Sequence, residues 1–247
     1  MCILTANIRM KIDFKDKRVL ITGGTRGIGR QIAEDMLVLG ADVTITGRGP
    51  EVDFAGVEYM QVDFMDDNQT TEFIEKISSR TYDVCVNNAG INKIDSFCDV
   101  ERKDWESIMK VNLTTPFLVQ QAVAKNMIKQ QAGKIVNISS IWGSISIAKR
   151  ACYSTSKFGL RGLTLASAAE LAAFNVLVNT VSPGFTLTEL TRQVLGPDKM
   201  KELANDIPMG RMAEPSEISK TVLFVASDLN TYISGQNIIV DGGFVNV

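Results

Sequence analysis

Short apolar runs rich in Val, Ile and Leu recur along the chain at 18–22, 42–46, 57–62, 83–86, 134–138, 176–181 and 237–240. Several are nearly continuous instead of alternating, which is how strands buried on both faces of a parallel sheet read. Between them lie helical stretches near 27–39, 68–79, 101–130, 153–173 and 215–227. This alternation predicts an α/β fold: a single-domain, Rossmann-type doubly wound parallel sheet of about seven strands with helices on both faces. One crossover is abnormal. Between Arg48 and Val57 the chain reads Gly-Pro-Glu-Val-Asp-Phe-Ala-Gly, too short and too rich in Gly and Pro for a helix, so a loop or at most one turn is predicted there.

A chain of 247 residues with 45% hydrophobic content suits one core. Residues 1–14 read as an N-terminal extension, partly disordered, with Met10 competing with Met1 as the natural start. Residues 15–247 form the domain. The first residues carry no basic segment before their apolar run and no small-residue cleavage site, and no window approaches the ~20 apolar residues of a membrane span. A net charge of −2 with scattered Lys and Arg offers no field for nucleic acid. No nucleic-acid or membrane partner is expected, and the expected location is cytoplasmic. The chain has no histidine, which excludes Ser-His-Asp and Cys-His machinery and His-containing zinc sites, and no metal site is predicted. Cys2, Cys85, Cys98 and Cys152 lack C-x-x-C spacing and read as reduced thiols. Cys152, beside Tyr153, is either a reactive thiol or a small packed residue.

The candidate chemistry lies in Tyr153-Ser-Thr-Ser-Lys157, with Ser140 at the end of an apolar run upstream. Positions i and i+4 share a helix face, so phenol and ammonium can enter one site. Bringing a tyrosine from ~10 toward ~7 takes roughly 4 kcal/mol. One ammonium at ~4 Å in an effective dielectric of ~20 supplies about that much. Lys157 is thus sufficient in principle to make Tyr153 a proton donor and acceptor near neutral pH.

Thr22-Gly-Gly-Thr-Arg-Gly-Ile-Gly29 follows the first strand and opens a helix. A glycine-rich turn at a helix N-terminus lets backbone N–H groups meet a pyrophosphate, which marks Gly23, Thr25, Arg26, Gly27, Ile28 and Gly29 as dinucleotide-binding. An acidic residue closing the second strand would bond the ribose 2′-hydroxyl of NAD. Here the strand closes with Thr46-Gly-Arg48, and Arg48 with Arg26 suits a 2′-phosphate, so NADP(H) is favoured over NAD(H).

With these pieces in order, together with Asp63, Asn87-Asn-Ala-Gly90, Asn112 in Val-Asn-Leu, Pro183-Gly184 and Val240-Asp-Gly-Gly243, the chain from about Lys17 onward resembles the short-chain dehydrogenase/reductase family. The resemblance implies that Tyr153 exchanges a proton with the carbonyl or hydroxyl oxygen of a small-molecule substrate and Ser140 holds that oxygen. It implies that Lys157 also binds the nicotinamide ribose and Asn112 anchors a relay water. Asp63 would meet the adenine, Asn88, Ala89 and Gly90 the adenosine ribose, the backbone around Pro183, Gly184 and Thr186 the carboxamide, and Thr188 the diphosphate. It further implies a substrate loop at 187–214 and a homotetramer built on the helices near 101–130 and 153–173.

The expected function is therefore an NADP-dependent interconversion of a ketone and a secondary alcohol, on a small polar or acidic carbonyl compound. A 3-oxoacyl-carrier-protein or CoA reductase is the alternative. Such reductases tend to carry docking arginines where this chain has Gln131 and Phe174, whereas the stretch following Gly90 is similar to sugar-acid and polyol dehydrogenases of the family. A non-catalytic dinucleotide sensor or scaffold is the alternative of another class. Lys149 and Arg150 either present positive charge to an acidic substrate or form an ordinary solvated or interface pair. Trp142 either flanks the substrate or packs beneath the loop.

Overall fold

The chain alternates strand and helix as its apolar pattern predicts. The computed structural model describes residues 11–194 and 196–246; the first ten residues of the expected extension, with both candidate starts, lie outside them. In order, β1 (Arg18–Ile21), α1 (Gly27–Val38), β2 (Asp42–Gly47), β3 (Val57–Gln61), α2 (Asp67–Ser78) and β4 (Val84–Asn87) make the first half. Then follow α3 (Arg102–Met109), α4 (Thr115–Gln130), β5 (Gly133–Ile138), α5 (Ala151–Leu171), β6 (Val176–Pro183), α6 (Glu189–Val194), α7 (Pro197–Asn205), α8 (Pro215–Ala226) and β7 (Asn237–Val240). The seven strands form one sheet in the order β3-β2-β1-β4-β5-β6-β7, with every adjacent pair parallel. No helix among the described residues is long and apolar enough to cross a membrane.

Continuous apolar strands serve two cores at once because successive side chains point to opposite faces. In β1, Val19 and Ile21 pack with Ile32 and Met36 of α1 and Ile218 and Val222 of α8. Leu20 points the other way, toward Phe73 of α2, Val123 of α4 and Leu171 of α5. β4 repeats the division, with Val84 and Val86 on one face and Cys85 on the other.

Between β2 and β3 the chain makes the predicted loop and no helix. Val52 and Phe54 cover the α1-side core in a helix's place, and the Arg30 guanidinium lies 4.7 Å from the Phe54 ring centroid. The helix predicted across 101–130 is not continuous: α3 and α4 are separated by a π-helical turn, Lys110–Thr114. Pro116 has no N–H to give the Asn112 carbonyl four residues back, and its ring would press on that carbonyl in a regular helix. The wider turn relieves this, and the Thr115 hydroxyl donates to the Lys110 carbonyl at 3.0 Å. Single π-turns of this kind are frequent at functional sites. The 187–214 excursion contains α6 and α7, and the Thr186–Ala213 bridge closes its base.

Candidate active site

The strand order reverses between β1 and β4, and a crevice opens beyond their carboxyl ends. Thr22 holds its two sides together. Its hydroxyl accepts the backbone N–H groups of Asn88 and Ala89 at 3.0 and 3.1 Å. The Asn88 amide in return donates to the carbonyls of Thr22 and Gly23 at 3.0 and 2.9 Å. Gly23 is left-handed, φ +66°, and a Cβ there would lie 2.9 Å from the Ala89 Cα, so only glycine lets the turn lie this close to β4. A Cβ at Gly29 would run into the Asn88 amide and the Gly23 carbonyl.

Beyond this turn lies a cleft of about 270 Å³. Gly23, Thr25, Arg26, Gly27 and Ile28 form its floor, and Arg48 and Asp63 its far wall. Asn88, Ala89, Gly90 and Thr188 form the near wall. Arg26 is the N-cap of α1, and its side chain makes no capping bond, so the first-turn N–H groups are left to the cleft, the arrangement an anionic phosphate requires. The residues present therefore fit a dinucleotide. The ion pairs among the described residues engage Arg30, Arg80, Arg102, Arg192 and Arg211 but neither Arg26 nor Arg48.

At the other end of the crevice, Ser140 stands two residues beyond β5 and caps a 3₁₀ turn by accepting the Trp142 N–H at 3.2 Å. α5 begins at Ala151, placing the partly buried Tyr153 in its first turn and Lys157, only 4% exposed, one turn on. The Lys157 ammonium donates to the Ile138 carbonyl at 2.9 Å and stands 5.6 Å from the centroid of the Tyr153 ring. Ser139 ties the same helix to β5 through the Lys157 carbonyl, 3.2 Å. Asn112, fully buried, exchanges two bonds with the Ile91 backbone at 2.8 and 2.9 Å. It also donates to the Ser156 hydroxyl at 3.1 Å, and that hydroxyl donates to the Tyr153 carbonyl at 2.7 Å. A Cβ at Gly90 would lie 3.4 Å from Asn112 Oδ1 and 3.7 Å from Lys157 Nζ, so the dinucleotide cleft runs directly into this cluster.

The electrostatics correct one expectation. Lys157 does not by itself bring Tyr153 toward neutrality: burial raises the phenol's pKa, while the Ser140 hydroxyl and the Arg150 charge act to lower it. The ammonium donates to the Ile138 carbonyl, and burial lowers its own pKa to about 8.

Ser140, Tyr153, Lys157 and Asn112 are thus brought together, and eleven of the expected cofactor residues line the cleft: Gly23, Thr25, Arg26, Gly27 and Ile28 below, Arg48 and Asp63 opposite, and Asn88, Ala89, Gly90 and Thr188 beside them. Gly29 supports the turn from behind. Pro183 and Gly184 stand at the end of β6 against Asp241, and the buried Thr186 sits at the base of the loop. The Asn88 and Asn112 side chains are engaged by backbone groups, leaving main chain to face a ligand there. Sequence reasoning missed Thr22 as the stitch, and Phe64, Met65 and Val111 as cleft walls. Their adjacency to Asp63 and Asn112 was the available sign.

The family model described as enoyl-(acyl carrier protein) reductase matches residues 23–245. The chain is 40% identical over 247 residues to the 3-oxoacyl-[acyl-carrier-protein] reductase FabG of Aquifex aeolicus, covering 95% of this chain and 99% of that protein. It is 34% identical over 242 residues to the cyclopentanol dehydrogenase of Comamonas testosteroni, covering 93% and 97%. Among solved structures it is similar, with a TM-score of 0.88 and 31% identity, to a gluconate 5-dehydrogenase from Burkholderia cenocepacia in complex with NADP and tartrate, covering 96% of this chain and 98% of that one.

Proposed function

The chain belongs to the short-chain dehydrogenase/reductase family and is an oxidoreductase acting on a CH–OH group, and from that premise we propose that it uses NADP(H) to interconvert a small polar or acidic ketone and its secondary alcohol. The observation that carries the reading is the convergence of Tyr153, Lys157 and Ser140 at the inner end of a glycine-turn cleft. The nicotinamide, when bound, supplies or receives the hydride. Tyr153 gives or takes the proton at the substrate oxygen, and Ser140 holds that oxygen. Lys157 holds the nicotinamide ribose hydroxyls, and Asn112, at the π-turn, anchors the water through which protons reach Lys157. The glycine turn with Thr188 receives the diphosphate, Asp63 the adenine, the backbone of Asn88 to Gly90 the adenosine ribose, and the segment from Pro183 to Thr186 the carboxamide.

NADP is favoured because two guanidiniums without ion pairs among the described residues, Arg26 and Arg48, line the adenosine end where NAD would call for a carboxylate. The Burkholderia relative's NADP complex supports this. A second reading, reduction of 3-oxoacyl groups on a carrier protein, is favoured by the Aquifex relative. Against it, Gln131 is a left-handed helix cap whose carbonyl holds Asn175, and Phe174 packs on the α5-side core. Neither offers a cation to an acidic carrier. Assembly as a homotetramer through α4 and α5 is supported by their exposed apolar residues Phe117, Phe158 and Leu165, and gel filtration giving a monomer would remove it. The central test is NADPH oxidation across a ketone panel that includes acyl thioesters. Tyr153→Phe should retain no more than about a hundredth of the activity; full activity in that variant would end this reading.

A further inference from the structure

Three aromatic rings pack together just beyond Ser140. Trp142, two residues beyond Ser140, meets Phe185 and Phe244 edge to face at centroid distances of 6.2 and 6.3 Å, and those two meet at 5.2 Å. They join the segment after β5, the base of the 187–214 excursion and the C-terminal turn into one wall. Arg150 lies against it, its guanidinium carbon 5.9 Å from the Trp142 ring centroid. Arg150 is the N-cap of α5, so Tyr153 stands about one turn, ~5 Å, further along the helix. One face of the guanidinium is covered by indole, which fixes its plane and leaves its N–H edge for a partner.

No carboxylate among the described residues supplies that partner. Asp95 and Asp104, which act on the neighbouring Cys152 thiol, are both engaged by Lys93. Arg150 itself is partly buried, burial lowers its pKa, and the charge acting the other way is that of Tyr153. A desolvated guanidinium without an acid beside a proton-exchanging phenol is an uncompensated cost in the protein alone. It becomes useful when an anion arrives with the substrate.

We propose that Arg150, held on Trp142, is the specificity-determining residue of the substrate site, and that the substrate is an oxo acid or hydroxy acid whose carboxylate it receives while the carbonyl or hydroxyl oxygen meets Tyr153 and Ser140. This rests on the role given to Tyr153 under the proposed function. The one-turn spacing calls for a carboxylate a few bonds from the reacting carbon.

The chain has two tryptophans, so Trp105→Phe leaves Trp142 as the sole reporter. With NADP⁺ bound, where an oxo acid cannot be reduced, its fluorescence is titrated with pyruvate, 3-oxobutanoate and 4-oxopentanoate and with their methyl esters. At least one acid should bind roughly 10- to 100-fold more tightly than its ester, the range of a charge-assisted contact. Arg150→Met should erase the difference and Arg150→Lys keep part of it. With NADPH, the acid-to-ester ratio of kcat/KM should fall in parallel in Arg150→Met, through KM. Equal binding of acid and ester in the parent, no response to any acid, or a ratio unchanged in Arg150→Met overturns the inference. Should Arg150→Met fail to fold, the parent comparison and Arg150→Lys still decide. Tyr153-dependent turnover with no preference for the acid removes the inference alone. An Arg150-dependent preference in binding without any turnover removes the proposed function and leaves the anion site.

Discussion

Lys157→Met should remove activity while leaving the folded protein about as stable as the wild type near neutral pH. Burial lowers the Lys157 pKa from 10.5 to about 8. Between those values the unfolded chain carries a proton there that the folded chain has released, so stability rises with pH across the window, and the full penalty applies below about 8. The gap corresponds to roughly 3 kcal/mol. Opposing it is the bond from Nζ to the Ile138 carbonyl, 2.9 Å, whose removal leaves a buried acceptor short of a donor at a cost of about 1–3 kcal/mol. The two nearly cancel at pH 7. At pH 10 most of the penalty has gone from the wild type while the hydrogen bond remains, so the wild type should gain about 2–3 kcal/mol on the variant between these pH values. Urea unfolding of both proteins, followed by far-UV circular dichroism at pH 7, 8.5 and 10 without cofactor, measures the difference. Subtraction removes the contributions of Lys134, Tyr82 and other shifted groups common to both. A stability difference that stays flat across this range would show that Lys157 is not held desolvated, and the reasoning fails.

Thr22→Val takes away the acceptor of two N–H groups, those of Asn88 and Ala89, and should cost about 2–3 kcal/mol in chemical denaturation while weakening NADPH binding in a fluorescence titration. Arg48→Ala should raise the Kd for NADPH roughly 10- to 100-fold, the range of a charge-assisted phosphate contact, and narrow the preference over NADH. Equal loss for both cofactors would contradict its assignment to the 2′-phosphate. The Cys85 thiol, fully buried with its pKa pushed up to about 12, should resist alkylation in the native protein while the exposed Cys98 reacts; peptide mass mapping after brief iodoacetamide treatment reads both.

The sheet was legible because a strand buried on both faces cannot hide its composition, and the missing crossover helix because Gly49, Pro50 and Gly56 leave no room for one. The break at 110–114 was not foreseen, although Pro116 carried the sign; periodicity continues through a π-turn with a shift of only one residue. Within the site, the shared face of Tyr153 and Lys157 was legible from spacing, since helix geometry fixes i and i+4, but the pair and Ser140 gained meaning only from the ordered set of motifs around them. The Lys157–Ile138 bond was not legible, because a backbone carbonyl leaves no trace in the sequence, nor was the burial that raises the Tyr153 pKa. The wall of Trp142, Phe185 and Phe244 was equally hidden, its members being brought together only by the sheet order.

Beneath the reacting groups runs a polar ladder that an apolar core would not need. Asn87 of β4 donates to Asn137 of β5 at 2.9 Å, and Asn137 donates to Thr164 of α5 at 2.8 Å. Thr180 of β6 meets the same Thr164 hydroxyl at 2.8 Å. All four residues are buried, and Asn87 Oδ1 has no partner, which makes the ladder a poor source of stability. Its effect is positional. Apolar side chains would allow α5 to slide along the sheet at little cost, whereas each rung has one register in which its donors and acceptors meet. Asn137 lies on the strand that leads to Ser140, and Thr164 on the helix that carries Tyr153 and Lys157, so the ladder fixes that strand and helix relative to each other. Hydride and proton transfer tolerate little misplacement of the donor and acceptor atoms, and a buried polar ladder supplies that register where packing alone would leave it soft.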